Sequence, residues 1–252
     1  MIAALGAPKN APAVPLKFLR PRADTFIMVV SLRELLDPCR VSDEEALEIA
    51  RQRAAQRESF GLEVARQIDA YLNSTRIIGG LIERGFLLVE AAARPSEYLW
   101  LVRAGLAHDD PDVRFAAITL LGRQAKNPGW IQKLASDSED RVRAGVMEAL
   151  WRHPDPEIEA VLLTGVLDSS PEVAAAAVHS LYRIDPQRHA EVVHKLISHR
   201  IPVFRCAAAA LIGKLEPGCR RQFLKPLLTD PDATVRHAAF QTLTALKSNL
   251  AA

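Results

Sequence analysis

The chain of 252 residues is 49% hydrophobic and 25% charged, with a formal net charge of +2. This is the composition of an ordered, folded protein, and the overall charge argues neither for nor against a nucleic-acid partner. No stretch approaches the ~18 consecutive apolar residues of a membrane span, and Cys39, Cys206 and Cys219 are too dispersed for a disulfide framework or a zinc site. The charge is unevenly spread. Residues 96–185 hold 9 Lys/Arg against 14 Asp/Glu, a net of −5, and residues 186–252 hold 10 against 4, a net of +6. One end of the molecule is therefore expected to be acidic and the other basic.

The first residues lack the basic start and sustained apolar run of a secretory signal, and reduced thiols suit a cytoplasmic protein. Residues 1–23 contain Pro8, Pro12, Pro15 and Pro21. So many prolines cannot share one helix, and an extended or disordered arm is expected. An apolar run from Asp24 to Leu36 reads as a helix stopped by Pro38. Ser42-Asp43-Glu44-Glu45 is a capping box, which predicts a helix over 43–57. Apolar spacing predicts two more, over 59–73 and 76–92. Gly79, Gly80 and Gly85 weaken the last intrinsically by up to ~1 kcal/mol each, and they give a neighbouring helix room to come close. Residues 24–94 are either a degenerate first repeat or a helical cap.

From residue 95 onward one phrase recurs, opening at Val113, Val142, Val173, Phe204 and Val235, with spacings of 29, 31, 31 and 31. Each phrase is preceded by an apolar segment that starts with a proline: Pro95, Pro128, Pro156, Pro186 or Pro217. Proline suits the first helical position, where its missing N–H would be unpaired anyway, and Asn127, Asp155 and Asp185 are good caps before three of them. Each unit therefore reads as helix, turn, helix. One pair cannot bury both its apolar faces, but a stack of pairs makes a continuous core. The unit opened by Pro128 is short by about three residues in its first helix, so a local irregularity is expected there. The paired alanines at 116/117, 176/177, 207/208 and 238/239 are expected to let adjacent helices pack closely.

This pattern resembles the HEAT-repeat family, particularly the short bacterial HEAT-like repeats also found in phycobilin lyase subunits. The resemblance covers about residues 95–247. It implies an all-α, right-handed superhelix of five helical pairs, and a ladder of turn Asp residues with Arg residues six positions later. Asp137 with Arg143 and Asp230 with Arg236 keep both members; Asp168 faces Ala174; His108 and His199 precede Arg114 and Arg205. The ladder is expected to break at Ala174.

In such arrays the second helices line the concave face, where partners bind. The position ten residues after each phrase opens is Arg123, Arg152, Arg183, Lys214 and Ala245. Those cations either compensate helix C-termini or form a basic ridge for an acidic protein or a phosphate backbone. Trp151 and Tyr182, at equivalent positions, together with His179 and His237, are further partner-binding candidates. No Gly-rich phosphate loop, G-x-S-x-G or zinc spacing appears. None of the seven His is followed by Glu, the dipeptide that a di-iron enzyme built on such repeats uses. No catalytic residue, cofactor or metal is expected. The sequence reads as a non-catalytic, cytoplasmic interaction scaffold. A nucleic-acid-binding or DNA-repair role and a lyase or lyase-chaperone role are the alternatives.

Overall fold

A computed structural model of the chain describes residues 31–36, 39–57, 59–72, 79–123 and 128–248. The expected arm at 1–23, the start of the apolar run at 24–30 and the cap Asn127 lie outside them. The described helices are α1 (Leu32–Leu36), α2 (Asp43–Gln56), α3 (Phe60–Leu72), α4 (Gly79–Ala92), α5 (Pro95–Leu106), α6 (Pro111–Arg123), α7 (Pro128–Gln132), α8 (Asp140–Leu150), α9 (Pro156–Gly165), α10 (Pro171–Ile184), α11 (Ala190–Ile197), α12 (Pro202–Lys214), α13 (Pro217–Leu228) and α14 (Ala233–Ser248). There is no strand among the described residues, and the fold is an all-α stack.

Local sequence chemistry sets the boundaries. The Ser42 hydroxyl accepts from the Glu45 amide at 3.3 Å, and Asp43, Glu44 and Glu45 fill the first turn of α2, where carboxylates favour the helix dipole. Asp155 caps α9 by accepting from the Ile158 amide at 2.9 Å. The short unit is irregular as expected: α7 has five residues and continues as a 3₁₀ helix, Lys133–Ser136. One boundary differs from the sequence reading. Pro186 opens no helix; α11 begins at Ala190. The Asp185 carboxylate accepts from the amides of Gln187 and Arg188, both at 3.0 Å, and two such bonds hold the chain in a turn.

The even-numbered helices from α2 to α14 pack each against the next as one layer, and the odd-numbered helices lean on them from the other side. α4 lies between α2 and α6, and α3 packs beside α5, so the pair α3–α4 continues the same stack. One apolar core runs from Leu35 to Leu181 and a second from Ala174 to Ala239. They meet on α10, whose Val173, Ala177 and Leu181 belong to the first and whose Ala174, Val178 and Tyr182 belong to the second. Gly85 shows why α4 tolerates its glycines: a Cβ there would lie 2.3 Å from Ile68 Cδ1.

A buried cation fixes the start of the stack. Arg84 is 4% exposed. It donates to the carbonyls of Leu35 and Val41, both at 2.7 Å, and pairs with Asp43. A guanidinium so enclosed is tolerated only because its donors are met.

Candidate functional site

The turn arginines form a repeated joint. Arg114 donates from Nε and Nη2 to both carboxylate oxygens of Asp137, each at 2.8 Å. Arg143 does the same to Asp168 at 2.8 and 2.9 Å, and Arg205 to Asp230 at 2.7 and 2.8 Å. Each carboxylate belongs to the next repeat, and each pair is bidentate and charge-assisted, the strongest form of the bond. Arg143 and Arg205 hold Asp168 and Asp230 below the usual carboxylate range, with burial opposing; at Asp137 burial is the larger influence, yet the bonds from Arg114 and from the Glu139 amide still leave it lowered.

The spacing of six has a different origin from the carboxylate pairing. Arg143 Nη1 donates to the main-chain carbonyls of Asp137 and Ser138 at 2.9 and 3.1 Å, and Arg236 Nη1 to those of Asp230 and Pro231 at 2.7 and 2.8 Å. The arginine thus reads the backbone of its own turn, which any residue supplies. This explains His108 and His199 in Asp positions: Arg114 takes the His108 carbonyl and Arg205 the His199 carbonyl. The two imidazoles also replace the turn acceptor, since each Nδ1 accepts the amide two residues on, at 3.0 and 3.2 Å. Asp168, set against Ala174 in sequence, is held by Arg143. Between Ala174 and His199 there is no such pair.

The basic row lies at the C-terminal ends of the even helices, each cation already engaged. Arg123 pairs with Glu90 of α4 at 3.2 Å. Arg152 donates to the carbonyls of Gly122 and Arg123 at the end of α6. Arg183 lies 3.5 Å from the Trp151 ring centroid, and Arg152 lies 5.2 Å from it. Lys214 reaches Glu148 at 3.0 Å, across α10 from α12 to α8. Arg123 and Lys214 remain half-open to solvent even so, with side chains 47% and 60% exposed.

The two aromatic candidates part company. Trp151 is half-buried between guanidinium groups. Tyr182 is a correction: it is buried, with its ring edge-on to Phe223 at 5.9 Å. Burial, with a hydrogen bond to Cys219, pushes its hydroxyl up to about 12. It sits on the face of α10 turned to the next repeat, within the second apolar core. His237 is exposed on α14.

The even layer holds a groove of about 450 Å³. Ala144, Gly145, Ala175, Ala176, Ala207 and Ala210, from α8, α10 and α12, form its floor. Asp140 and Glu172 rim it at the helix starts, Glu148 and Lys214 near the helix ends. His179 stands in the groove, its pKa lowered to about 4 by burial and then by Lys214 and Arg183, with Glu148 opposing. A smaller hollow of about 120 Å³ lies between α4 and α6. Phe115 borders both. Arg141 stands 4.4 Å over the Phe115 ring and bridges Asp112 and Glu83. The sequence reading missed Arg141. The available signal was a cation in the first turn of a helix, against the dipole.

Among the described residues no group of His, Cys, Asp and Glu could hold a metal ion, and no helix is long and apolar enough to cross a membrane. Residues 127–201 match the family model for HEAT repeats and residues 221–250 match that for the HEAT repeat. No curated protein matches the chain. The two matches fall on the stretch where the Arg–Asp joints recur at the repeat period and the helices alternate between two layers: the chain is a HEAT-repeat protein.

Proposed function

We propose that the chain is a non-catalytic interaction scaffold that takes a segment of a partner protein into the groove across α6, α8, α10 and α12. HEAT repeats are commonly protein-interaction scaffolds. The observation that carries the reading is the groove itself: a floor of alanine and glycine between charged rims. Such a floor admits a chain closely, and the rims set its orientation. The partner's acidic side chains would face Arg183 and Lys214. A protein fits better than a phosphate backbone, because every cation of the row already has an intramolecular contact, and few counterions would be released.

The test is affinity capture from the native host. Ala210 is exposed on the groove floor, so Ala210→Trp fills the groove without entering the core. Recovery of the partner should fall at least tenfold, ~1.4 kcal/mol, and Arg183→Glu with Lys214→Glu should act in the same direction. Arg152 is left alone because it also holds the end of α6. Unchanged recovery with both variants sinks the reading. Strongly salt-dependent binding to a labelled DNA duplex would replace it with the nucleic-acid one.

A further inference from the structure

One ion pair of the groove spans a whole helix without support. Lys214 of α12 reaches Glu148 of α8 at 3.0 Å, across the intervening α10. Both side chains line the groove, and they stay 60% and 48% exposed. His179 of α10 feels both charges, Lys214 lowering its pKa and Glu148 opposing, so the pair lies close to that ring. A second long contact, Arg141 of α8 with Glu83 of α4, is anchored where it crosses α6, by Asp112 and by the Phe115 ring. Lys214 has no such anchor: among the described residues Glu148 is its one bonding partner.

An exposed pair of this kind shifts an equilibrium by at most about fivefold, so it exchanges easily. Closed, it carries no net charge. An acid set against Lys214 meets Glu148 as well and gains little. Covering the pair with a neutral chain would take both charges from water without return. An occupant that closes over the groove therefore has to offer both signs. Helix packing sets their spacing. Neighbouring helices lie ~8–10 Å apart, so α8 and α12, with α10 between them, hold their charges about 16–20 Å apart once the pair opens. An extended chain rises ~3.3 Å per residue, which makes this about five or six residues. The floor between them is alanine and glycine, which leaves room for a main chain. The His179 ring, with its pKa near 4, is neutral at ordinary pH and neither holds the acid nor repels the base.

We infer that Lys214 and Glu148 set the specificity of the groove, which takes an extended partner segment bearing a base and an acid about five or six residues apart. The acid replaces Glu148 on Lys214, and the base replaces Lys214 on Glu148. The inference rests on the groove reading and adds to it the charge pattern of the occupant. Glu148 is then an internal competitor that a merely acidic segment does not displace.

The test selects binders to the full chain from a randomised peptide library displayed on phage. Enriched sequences should share a Lys or Arg and an Asp or Glu about five or six residues apart. Ala210→Trp should weaken the synthesised peptides at least tenfold. Glu148→Lys with Lys214→Glu rebuilds the internal pair with its signs reversed, which keeps the fold. The parent should favour a selected peptide about fivefold over the version with acid and base exchanged, and the reversed chain should invert that preference. Enrichment without the charge spacing, or a preference that the reversal does not invert, overturns the inference, while sensitivity to Ala210→Trp still upholds the groove. Peptides indifferent to Ala210→Trp overturn both readings. A library that yields no binder overturns the inference alone, since the capture experiment tests the groove separately.

Discussion

Three junctions between successive repeats are closed by an arginine that grips the next repeat's aspartate: Arg114–Asp137, Arg143–Asp168 and Arg205–Asp230. The junction between α9–α10 and α11–α12 has Ala174 and His199 in those places. His199 turns instead onto Phe204, with ring centroids 4.2 Å apart. The apolar core divides at the same helix, α10. Near this junction Leu167, Ile201 and Val203 are left 85%, 42% and 50% exposed. The contrast separates two sources of cohesion. Apolar packing alone suffices to stack two repeats, and the ion pair adds a fixed register where it occurs. The stack is accordingly expected to behave as two cooperative units sharing α10.

The largest effect should follow from cutting one clamp. Arg143→Ala strands the Asp168 carboxylate, whose side chain is 16% exposed, and the carbonyls of Asp137 and Ser138. The pair is partly buried, so its loss costs less than the ~3–5 kcal/mol of a fully buried pair, about 2–3 kcal/mol, read as a lower melting temperature and denaturant midpoint. If Arg143→Ala melts like the parent, the clamp is ornamental.

A smaller effect, of the opposite sign, should come from building the missing clamp. Ala174→Arg alone places an unpaired cation at a buried position and should destabilise. Adding His199→Asp supplies its partner. A double-mutant cycle should then show a favourable coupling of about 0.5–3 kcal/mol. Hydrogen exchange should also report tighter linkage between the two halves. Additive single effects would mean that the surroundings of Ala174 do not allow the joint.

The smallest effect is a pH dependence, and it differs between groove and clamps. His179 is held down at about 4 against 6.5. The unfolded chain therefore binds its proton first, and stability declines as pH falls from 6.5 towards 4. Asp168 and Asp230 are held below 3.8. Their contribution is present above that value and is lost as pH falls further. Thermal melts should thus show acid weakening that starts in the groove and reaches the clamps later. His179→Asn should flatten the upper part alone, and an unaltered profile would remove His179 from the account.

Much of the architecture was readable because it is written in a period. The recurring phrase, the prolines and the capping box at Ser42 predicted helices whose ends agree with the structure to within a few residues. The start of α11 was not readable, because Asp185 before Pro186 is as good a turn as it is a cap. The clamp pairs were only half legible. The sequence shows arginine six residues after aspartate, but that spacing records a bond to the backbone, and the carboxylate partner lies 23 or 25 residues away. Lys214 with Glu148, 66 positions apart, and Arg183 on Trp151 depend on side chains meeting across stacked helices. No local pattern records such meetings.

Arg84 bears on how the molecule can be divided. Its guanidinium is met by Leu35, Val41 and Asp43, all upstream of the five recognisable repeats. A fragment begun at residue 44 would keep the buried cation and lose those partners, at a cost of several kcal/mol. Any piece that keeps Arg84 must therefore reach back to Leu35, whereas a cut at residue 95, where the repetition starts, takes the cation away together with its partners.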